Sequence, residues 1–322
     1  MTNTTSIYAD IVSAVLRNKK SINLVMKIIL IFLVATFSLF ILVIFIFFTP
    51  RDRSVLFSSS QKMEFAGVSR TYRISVPKNL SGSPKMIFAF HGLGGNGKQM
   101  AYFSALHNST GNNTIVVYPD STKSSQSGIQ PGWNAEFCCG SGWVNKVDDV
   151  GYIKALVASL SSKYNVNPDK IYATGFSNGG MFIQRIATEQ PDLFAGYVSV
   201  SGNIGTEGNE LRPTKPVAIM HIHGDQDKTV PFNGGPGGSD PQFMWGNFDK
   251  TLKAWEKPNN CSGAIIGDLP SSITTTYKTC VSPLKSIIYK DKAHIWPDWR
   301  LANVWHKKTD GSNKAIEFLN GL

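Results

Sequence analysis

Separated stretches of this chain carry residue types that acyl-transfer chemistry uses. The first is Gly175-Phe176-Ser177-Asn178-Gly179. A serine framed in this G-x-S-x-G spacing suits a very tight strand-to-helix turn that projects its hydroxyl outward as a nucleophile. The flanking glycines remove Cβ atoms that would collide as strand and helix approach. The N–H of Asn178 then lies at a helix N-terminus, where developing negative charge is favoured. The second stretch is His91-Gly92-Leu93-Gly94-Gly95-Asn96-Gly97. Its glycines let backbone N–H groups approach a substrate oxygen, and the amide of Leu93 is the donor expected to complete an oxyanion hole with Asn178. The third element is an acid and a base further on: Asp227 in His223-Gly224-Asp225-Gln226-Asp227, and His294 in Ala293-His294-Ile295-Trp296-Pro297. The order nucleophile, acid, base is Ser177, Asp227, His294, with no metal or organic cofactor called for.

Each stretch also has a plain structural reading. In a chain with 29 glycines, G-x-S-x-G alone is a weak signal, and a passive serine in a Gly-rich turn would satisfy it. Context favours the nucleophile: an Ile171-Tyr172-Ala173-Thr174 run precedes it, and Met181, Phe182, Ile183, Ile186 and Ala187 follow at helical spacing. The 91–97 loop lacks the Lys-Ser/Thr ending of a phosphate-binding loop. His91 precedes the serine in chain order and reads as a structural residue of its loop. Asp225 is the competitor for the acid and reads as a brace of the turn; His306 is the competitor for the base. His107 reads as a surface residue, and His221 and His223 as strand-end residues.

Elements able to position these groups follow from the hydrophobic pattern. Residues 63–66 and 68–76 predict an antiparallel hairpin around Gly67. The runs 85–90, 114–118, 171–174, 196–202, 217–223 and 285–289 predict strands, and the continuous apolar run 85–90 suits a central one covered on both faces. Helices are expected at 100–107, after Asp148-Asp149, after Ser177, within 240–255 and over 313–319. Asp148 and Asp149 suit an N-cap and a first-turn acid. Residues 258–280 read as an irregular excursion containing one strand at 274–277. The long polar stretch 121–142 carries Trp133, which is expected to line a pocket rim, with packing beneath the loop as the alternative.

The chain has 322 residues, 17% of them charged, and a net charge of +10. The lysines are dispersed and no nucleic-acid-binding fingerprint is present, so a solvated basic surface is expected rather than a nucleic-acid partner. Residues 28–48 are 21 positions without a charge, interrupted only by Thr36 and Ser38. At about 1.5 Å per residue this spans a hydrocarbon core of roughly 30 Å. The run is longer and richer in Phe and Ile than a cleaved signal peptide. Arg17, Lys19, Lys20 and Lys27 precede it, which predicts a cytoplasmic N-terminus and an extracytoplasmic main domain. The expected organisation is an N-terminal segment 1–27, a single transmembrane helix 28–48, a linker 49–62 and a catalytic domain 63–322. The four cysteines, Cys138, Cys139, Cys261 and Cys280, allow three full pairings. Cys261 and Cys280 flank the 258–280 excursion; Cys138 and Cys139 could pair elsewhere, bond to each other, or stay reduced. Their spacing does not suggest a zinc site.

Taken together, His91-Gly92-Leu93-Gly94-Gly95-Asn96, Cys138-Cys139-Gly140, Val147-Asp148-Asp149-Val150-Gly151, Gly175-Phe176-Ser177-Asn178-Gly179-Gly180-Met181, His223-Gly224-Asp225-Gln226-Asp227 and His294-Ile295-Trp296-Pro297 stand in one order. This set resembles the polyhydroxybutyrate depolymerase and feruloyl esterase group of secreted α/β-hydrolases, LpqC-like esterases included. The resemblance covers residues 65–320 and not the apolar N-terminal run. It implies an α/β-hydrolase fold, with a mostly parallel central sheet flanked by helices, and Ser177, Asp227 and His294 as nucleophile, acid and base. It also implies Leu93 and Asn178 as oxyanion donors, Trp296 in the acyl or aryl pocket, and a Cys261–Cys280 disulfide. The expected activity is hydrolysis of carboxylic esters of feruloyl, acetyl or polyhydroxyalkanoate type. Acyl transfer or peptide cleavage by the same residues, and a non-catalytic domain that binds envelope polymer, are the competing expectations.

Overall fold

The computed structural model describes residues 59–123, 126–206, 211–237, 243–297 and 310–322, together with positions 13, 14, 31–34, 36 and 38. The chain divides into two compact units, Met1–Thr49 and Pro50–Leu322. In the first, the described positions are helical, and Ile31, Phe32, Leu33 and Val34 expose most of their apolar side chains. Most of the expected span 28–48 lies outside the described residues. Among the described residues, no helix is long and apolar enough to cross a membrane.

The second unit is built on one ten-stranded sheet. Its strands are β1 (Gln61–Phe65), β2 (Val68–Ser75), β3 (Lys85–Phe90), β4 (Thr114–Pro119), β5 (Ile171–Phe176), β6 (Gly196–Val200) and β7 (Ile219–Gly224). A small separate ribbon follows, β8 (Gly235–Pro236) with β9 (Met244–Trp245), before β10 (Ala264–Leu269), β11 (Ser272–Tyr277) and β12 (Leu284–Tyr289) return to the main sheet. The order across the sheet is β1-β2-β4-β3-β5-β6-β7-β12-β11-β10. The six strands β4-β3-β5-β6-β7-β12 are parallel to one another, while the pairs β1-β2, β2-β4, β12-β11 and β11-β10 are antiparallel.

The continuous apolar runs mark strands covered on both sides. In β3, Met86, Phe88 and Phe90 belong to one core layer, while Ile87 and Ala89 belong to the other, as a two-residue side-chain period dictates. Helices α1 (Gly97–Ser104), α2 (Leu106–Ser109), α3 (Gly140–Val144), α4 (Asp149–Tyr164), α5 (Asn178–Glu189), α6 (Phe248–Asn259) and α7 (Asp310–Asn320) fill the two layers. Leu156 of α4, Phe182 of α5 and Trp255 of α6 pack on the first face; Met100 of α1 and Leu319 of α7 pack on the second. Because β3, β5, β7 and β12 run the same way, the loops after them emerge at one end of the sheet, where α/β folds of this kind bind ligands.

Three expectations change. The helix expected at 100–107 is split into α1 and α2 by Ala105, which takes a left-handed φ of 46°. The helix expected within 240–255 begins only at Phe248, because Met244–Trp245 pair with the β8 ribbon and Asn247 caps the helix by accepting from Lys250 N–H at 2.7 Å. The 258–280 excursion is a regular β10–β11 hairpin that extends the sheet. Every residue of β10 is exposed, so it shows no alternation by which it could be read.

Candidate active site

The elbow is built as its composition demands. β5 ends at Phe176, and α5 starts at Asn178 with Ser177 as the residue between them. Ser177 has φ 55° and ψ −122°, a conformation that costs a non-glycine residue about 1–3 kcal/mol. It is held there by its N–H, which donates to Val200 O at 2.8 Å, and by its carbonyl, which accepts from Met181 N–H at 2.9 Å. A Cβ on Gly175 would overlap the carbonyl oxygen of Gly179, and one on Gly179 would lie 2.5 Å from the carbonyl oxygens of Phe90 and His91. Both glycines are therefore required by close approach of backbone to backbone.

Around Ser177 the structure brings together residues from three distant loops. His294 Nε2 is 2.9 Å from Ser177 Oγ, and His294 Nδ1 is 2.7 Å from Asp227 Oδ2. The carboxylate accepts at Nδ1, so Nδ1 carries the proton and Nε2 is free to receive one from the serine. Asp227 is fully buried at its carboxylate, and its Oδ1 accepts from the backbone N–H of Thr229 at 2.9 Å and of Val230 at 3.0 Å. Burial on its own would raise the Asp227 carboxyl, but hydrogen bonds from His223 and His294 hold it well below the usual carboxylate range. His306 lies outside the described residues. Among the described residues, Asp225 Oδ1 is buried without a hydrogen-bond partner, and the turn is braced by the backbone N–H of Asp225, which donates to Tyr289 O at 3.1 Å.

Leu93 and Asn178 flank the serine in one cleft of about 280 Å³, which His294 also lines. Among the described residues, neither backbone N–H is donated to a protein acceptor. The remaining walls are mostly apolar, with Met181, Phe243, Trp245 and a disulfide between the adjacent Cys138 and Cys139, and include the polar Gln130 and Thr229. Cys261 and Cys280 form a second disulfide at the base of the β10–β11 hairpin. A smaller apolar cavity of about 150 Å³ lies on the other side of His294, lined by Met100, Phe103, Phe176, Ile295 and Trp296. Trp296 thus lines this second cavity beside His294 and not the cleft at Ser177, where it is expected, with its indole N–H donating to Ser312 Oγ at 3.1 Å.

Trp133 requires a correction. It is completely buried and lines neither cavity. Its ring stacks on Phe182 at 5.0 Å, and its indole N–H donates to His91 O at 3.1 Å. Its backbone holds the Asn178 side chain, accepting from Nδ2 at 3.0 Å and donating to Oδ1 at 2.7 Å. An amphipathic tryptophan in a polar stretch reads equally well as rim or anchor; only the packing of the 121–143 segment against α5 decides it. His91 plays the structural part expected of it. Nε2 accepts from Ser121 N–H at 3.1 Å, and Nδ1 donates to Gly92 O at 2.7 Å. Its complete burial lowers its pKa to about 4.

Three features were not visible in the sequence pattern. The Asn178 side chain joins the elbow to the 121–143 segment. Asp149 pairs with Arg70 at 2.7 Å in the interior and accepts from Asn134 N–H at 2.9 Å, beyond its expected place in the first helical turn. His223 Nε2 lies 3.1 Å from the Asp227 oxygen that His294 uses. The four-residue spacing of His223 and Asp227 was the available signal for the last.

Among curated proteins, the chain is 28% identical to "Putative esterase NocK" of Nocardia uniformis subsp. tsuyamanensis over 304 residues, 85% of this chain and 87% of the relative. It is 28% identical to "Probable feruloyl esterase C" of Aspergillus clavatus over 217 residues, 63% of this chain and 67% of the relative. Among solved structures, the acetyl xylan esterase from Aspergillus awamori superposes with a TM-score of 0.55 at 19% identity, covering 82% of this chain and all of that one, which supports the α/β-hydrolase fold. The model of the esterase family, described as "Putative esterase", matches residues 64–266. With a sheet that sets a serine, a histidine and an aspartate in one hydrogen-bonded line, and a family match over more than half its length, the chain belongs to the esterase family of α/β-hydrolases.

Proposed function

We propose that the chain hydrolyses carboxylic esters through a Ser177–His294–Asp227 triad and an acyl-enzyme. The carrying observation is the unbroken line of contacts from Ser177 Oγ to His294 at 2.9 Å and on to Asp227 at 2.7 Å. Ser177 Oγ attacks the ester carbonyl carbon as His294 Nε2 takes its proton. The oxyanion is met by the N–H groups of Leu93 and Asn178, at the N-terminus of α5; losing one such donor costs about 3–4 kcal/mol in an enzyme of this kind. Collapse expels the alcohol, which leaves with the proton from His294. Water then attacks the acyl carbonyl, giving its proton to His294 and releasing the acid as Ser177 is restored. Asp227 keeps the imidazole in the Nδ1–H tautomer and stabilises its charged form.

The apolar cleft of about 280 Å³ fits a short acyl or single-ring aryl group. Relatives bearing feruloyl esterase names favour the aryl acids among these. The exposed apolar positions Ile31–Val34, set in an uncharged run preceded by four cationic residues, support a membrane-anchored chain with an extracytoplasmic catalytic unit.

The test is the rate of the purified chain on p-nitrophenyl acetate and methyl ferulate, beside its Ser177→Ala variant. Serine-dependent hydrolysis of both is expected. Activity on the acetate alone would remove the aryl substrate and keep the triad. An unchanged rate in Ser177→Ala would overturn the assignment. A folded wild-type chain that neither hydrolyses these esters nor reacts with a fluorophosphonate would be a binding domain.

A further inference from the structure

We infer that His223 is a positioning residue for this reaction, holding Asp227 from its buried side so that Oδ2 meets His294. The inference rests on the triad reading given above. His223 lies on β7, four residues before Asp227, and both side chains are fully buried. Its Nε2 is 3.1 Å from Asp227 Oδ2 and 3.0 Å from Val230 O. Both neighbours are acceptors, so Nε2 carries the proton and shares it between them. Val230 in turn donates its N–H to Asp227 Oδ1 at 3.0 Å, beside Thr229 at 2.9 Å. Each carboxylate oxygen therefore faces two N–H groups, which is the full capacity of the acid. One imidazole restrains both the carboxylate and the turn that follows it.

The proton on His223 is fixed from behind. Asn203 Nδ2 donates to Pro231 O at 3.1 Å, which turns its Oδ1 towards His221 Nε2, also at 3.1 Å. His221 Nε2 is therefore an N–H. It lies 3.4 Å from His223 Nδ1, which is left as the bare nitrogen. Phe232 and Phe248 enclose the pair, with ring centroids 5.9 and 6.2 Å from that of His223. An apolar side chain would fill this space without the cost of burying polar atoms. Placing two linked imidazoles there makes sense if the second one acts on the acid.

The consequence is geometric and electrostatic. A neutral donor on Oδ2 stops the carboxylate from rotating and draws off part of the charge that His294 feels. Without it, Asp227 would hold a proton on His294 more firmly, and the acid limb of the rate profile would move to higher pH. The other charged groups on the packed elements are Asp225 and Lys228 on the acid loop, Lys290, Asp291 and Lys292 on the loop of the base, and Asp249, Lys250, Lys253, Glu256 and Lys257 on α6. Of the described residues, His223 and His294 are the side chains that bear on Asp227, beside the backbone N–H groups of Thr229 and Val230 at Oδ1.

The test compares the full chain with His223→Phe, which keeps bulk and loses the donor, and His223→Gln, whose amide N–H reaches the position of Nε2. kcat and KM for p-nitrophenyl acetate are measured across pH. His223→Phe should lower kcat about 10–100-fold with KM within about twofold, and raise the acid limb by about half a pH unit. His223→Gln should recover most of the rate. Wild-type kcat with an unmoved limb in His223→Phe would overturn the inference, as would equal losses in both variants with the limb unmoved. A measurement on the wild-type chain needs no variant to fold: nitrogen-15 spectra of labelled histidine should give His223 as the Nε2–H tautomer. The Nδ1–H tautomer would overturn the inference. If Ser177→Ala is inactive while His223→Phe is fully active, the triad stands and the positioning role fails. If Ser177→Ala keeps its rate, the triad reading fails and takes this inference with it.

Discussion

The side chain of Asn178 is gripped by the backbone of Trp133 on both sides, with Trp133 N–H donating to Oδ1 at 2.7 Å and Trp133 O accepting from Nδ2 at 3.0 Å. The same Trp133 donates its indole N–H to His91 O. One buried residue thus ties together the two loops that carry the proposed oxyanion donors, Leu93 and Asn178. Asn178→Ala keeps the backbone N–H but leaves two buried Trp133 groups unpaired. It should lower kcat about 10–100-fold and stability by about 2–3 kcal/mol, seen in kinetics and urea unfolding. Trp133→Phe keeps most of the stacking and loses one hydrogen bond, so its losses should be smaller. Equal losses in the two variants would show that ring packing, not the Asn178 grip, is what matters.

The backbone at Ser177 gives a prediction in which activity and stability part. Ser177→Ala removes the hydroxyl but keeps the Cβ at φ 55°. Ser177→Gly removes both. Relief of strain, about 1–3 kcal/mol, is set against about 0.4–1 kcal/mol of added freedom in the unfolded glycine chain. Both variants should be inactive, with the glycine form at least as stable as the alanine form by thermal unfolding. A less stable glycine form would show that the elbow is not strained.

Arg70 and Asp149 should behave as a buried ion pair. Their side chains are 4% and 0% exposed, and Arg70 also lies 4.0 Å over the ring of Tyr152. Asp149→Ala strands the guanidinium and frees Asn134 N–H, and should cost about 3–5 kcal/mol in denaturant unfolding. The double variant Arg70→Met with Asp149→Leu should be more stable than Asp149→Ala alone. If the double variant is the worse of the two, the pair contributes net stability.

Acid should destabilise the chain through its buried histidines. Burial lowers the His91 pKa from 6.5 to about 4 and puts that of His221 well below its ordinary value. The unfolded chain takes up a proton near pH 6.5 that the folded chain refuses. The stability held by His91 is therefore complete above pH 6.5 and is lost as pH falls from there to about 4. The amount is about 3 kcal/mol for His91, with His221 acting in the same direction. Asp227 adds a further loss only below the ordinary carboxylate range, since its own pKa is depressed. Urea midpoints at pH 7.5, 6 and 5 should fall in that order; a flat series would show that these imidazoles are protonated in the folded state.

The pattern of legibility follows from distance along the chain. The parallel strands could be read because they are buried on both faces and therefore continuously apolar. Of the β10–β11 hairpin only β11 was legible, as the strand at 274–277; exposure of all six β10 residues removes the alternation that marks a strand. Trp133 could not be placed because a tryptophan packed beneath its loop looks the same in sequence as one lining a rim.

What the sequence determined by itself is the local backbone: the elbow at Ser177, the glycine loop at 91–97, the strands that point both to one end, and the order of serine, acid and base. Glycine placement and hydrophobic period act over a few residues, so they are written where they act. Only the tertiary structure decided which polar side chains meet. His294 reaches Ser177 across 117 positions, and His223, Asn178 and Asp149 find partners on other elements. Those pairings depend on side-chain direction and on how the layers pack, and neither is fixed until the core has closed around them.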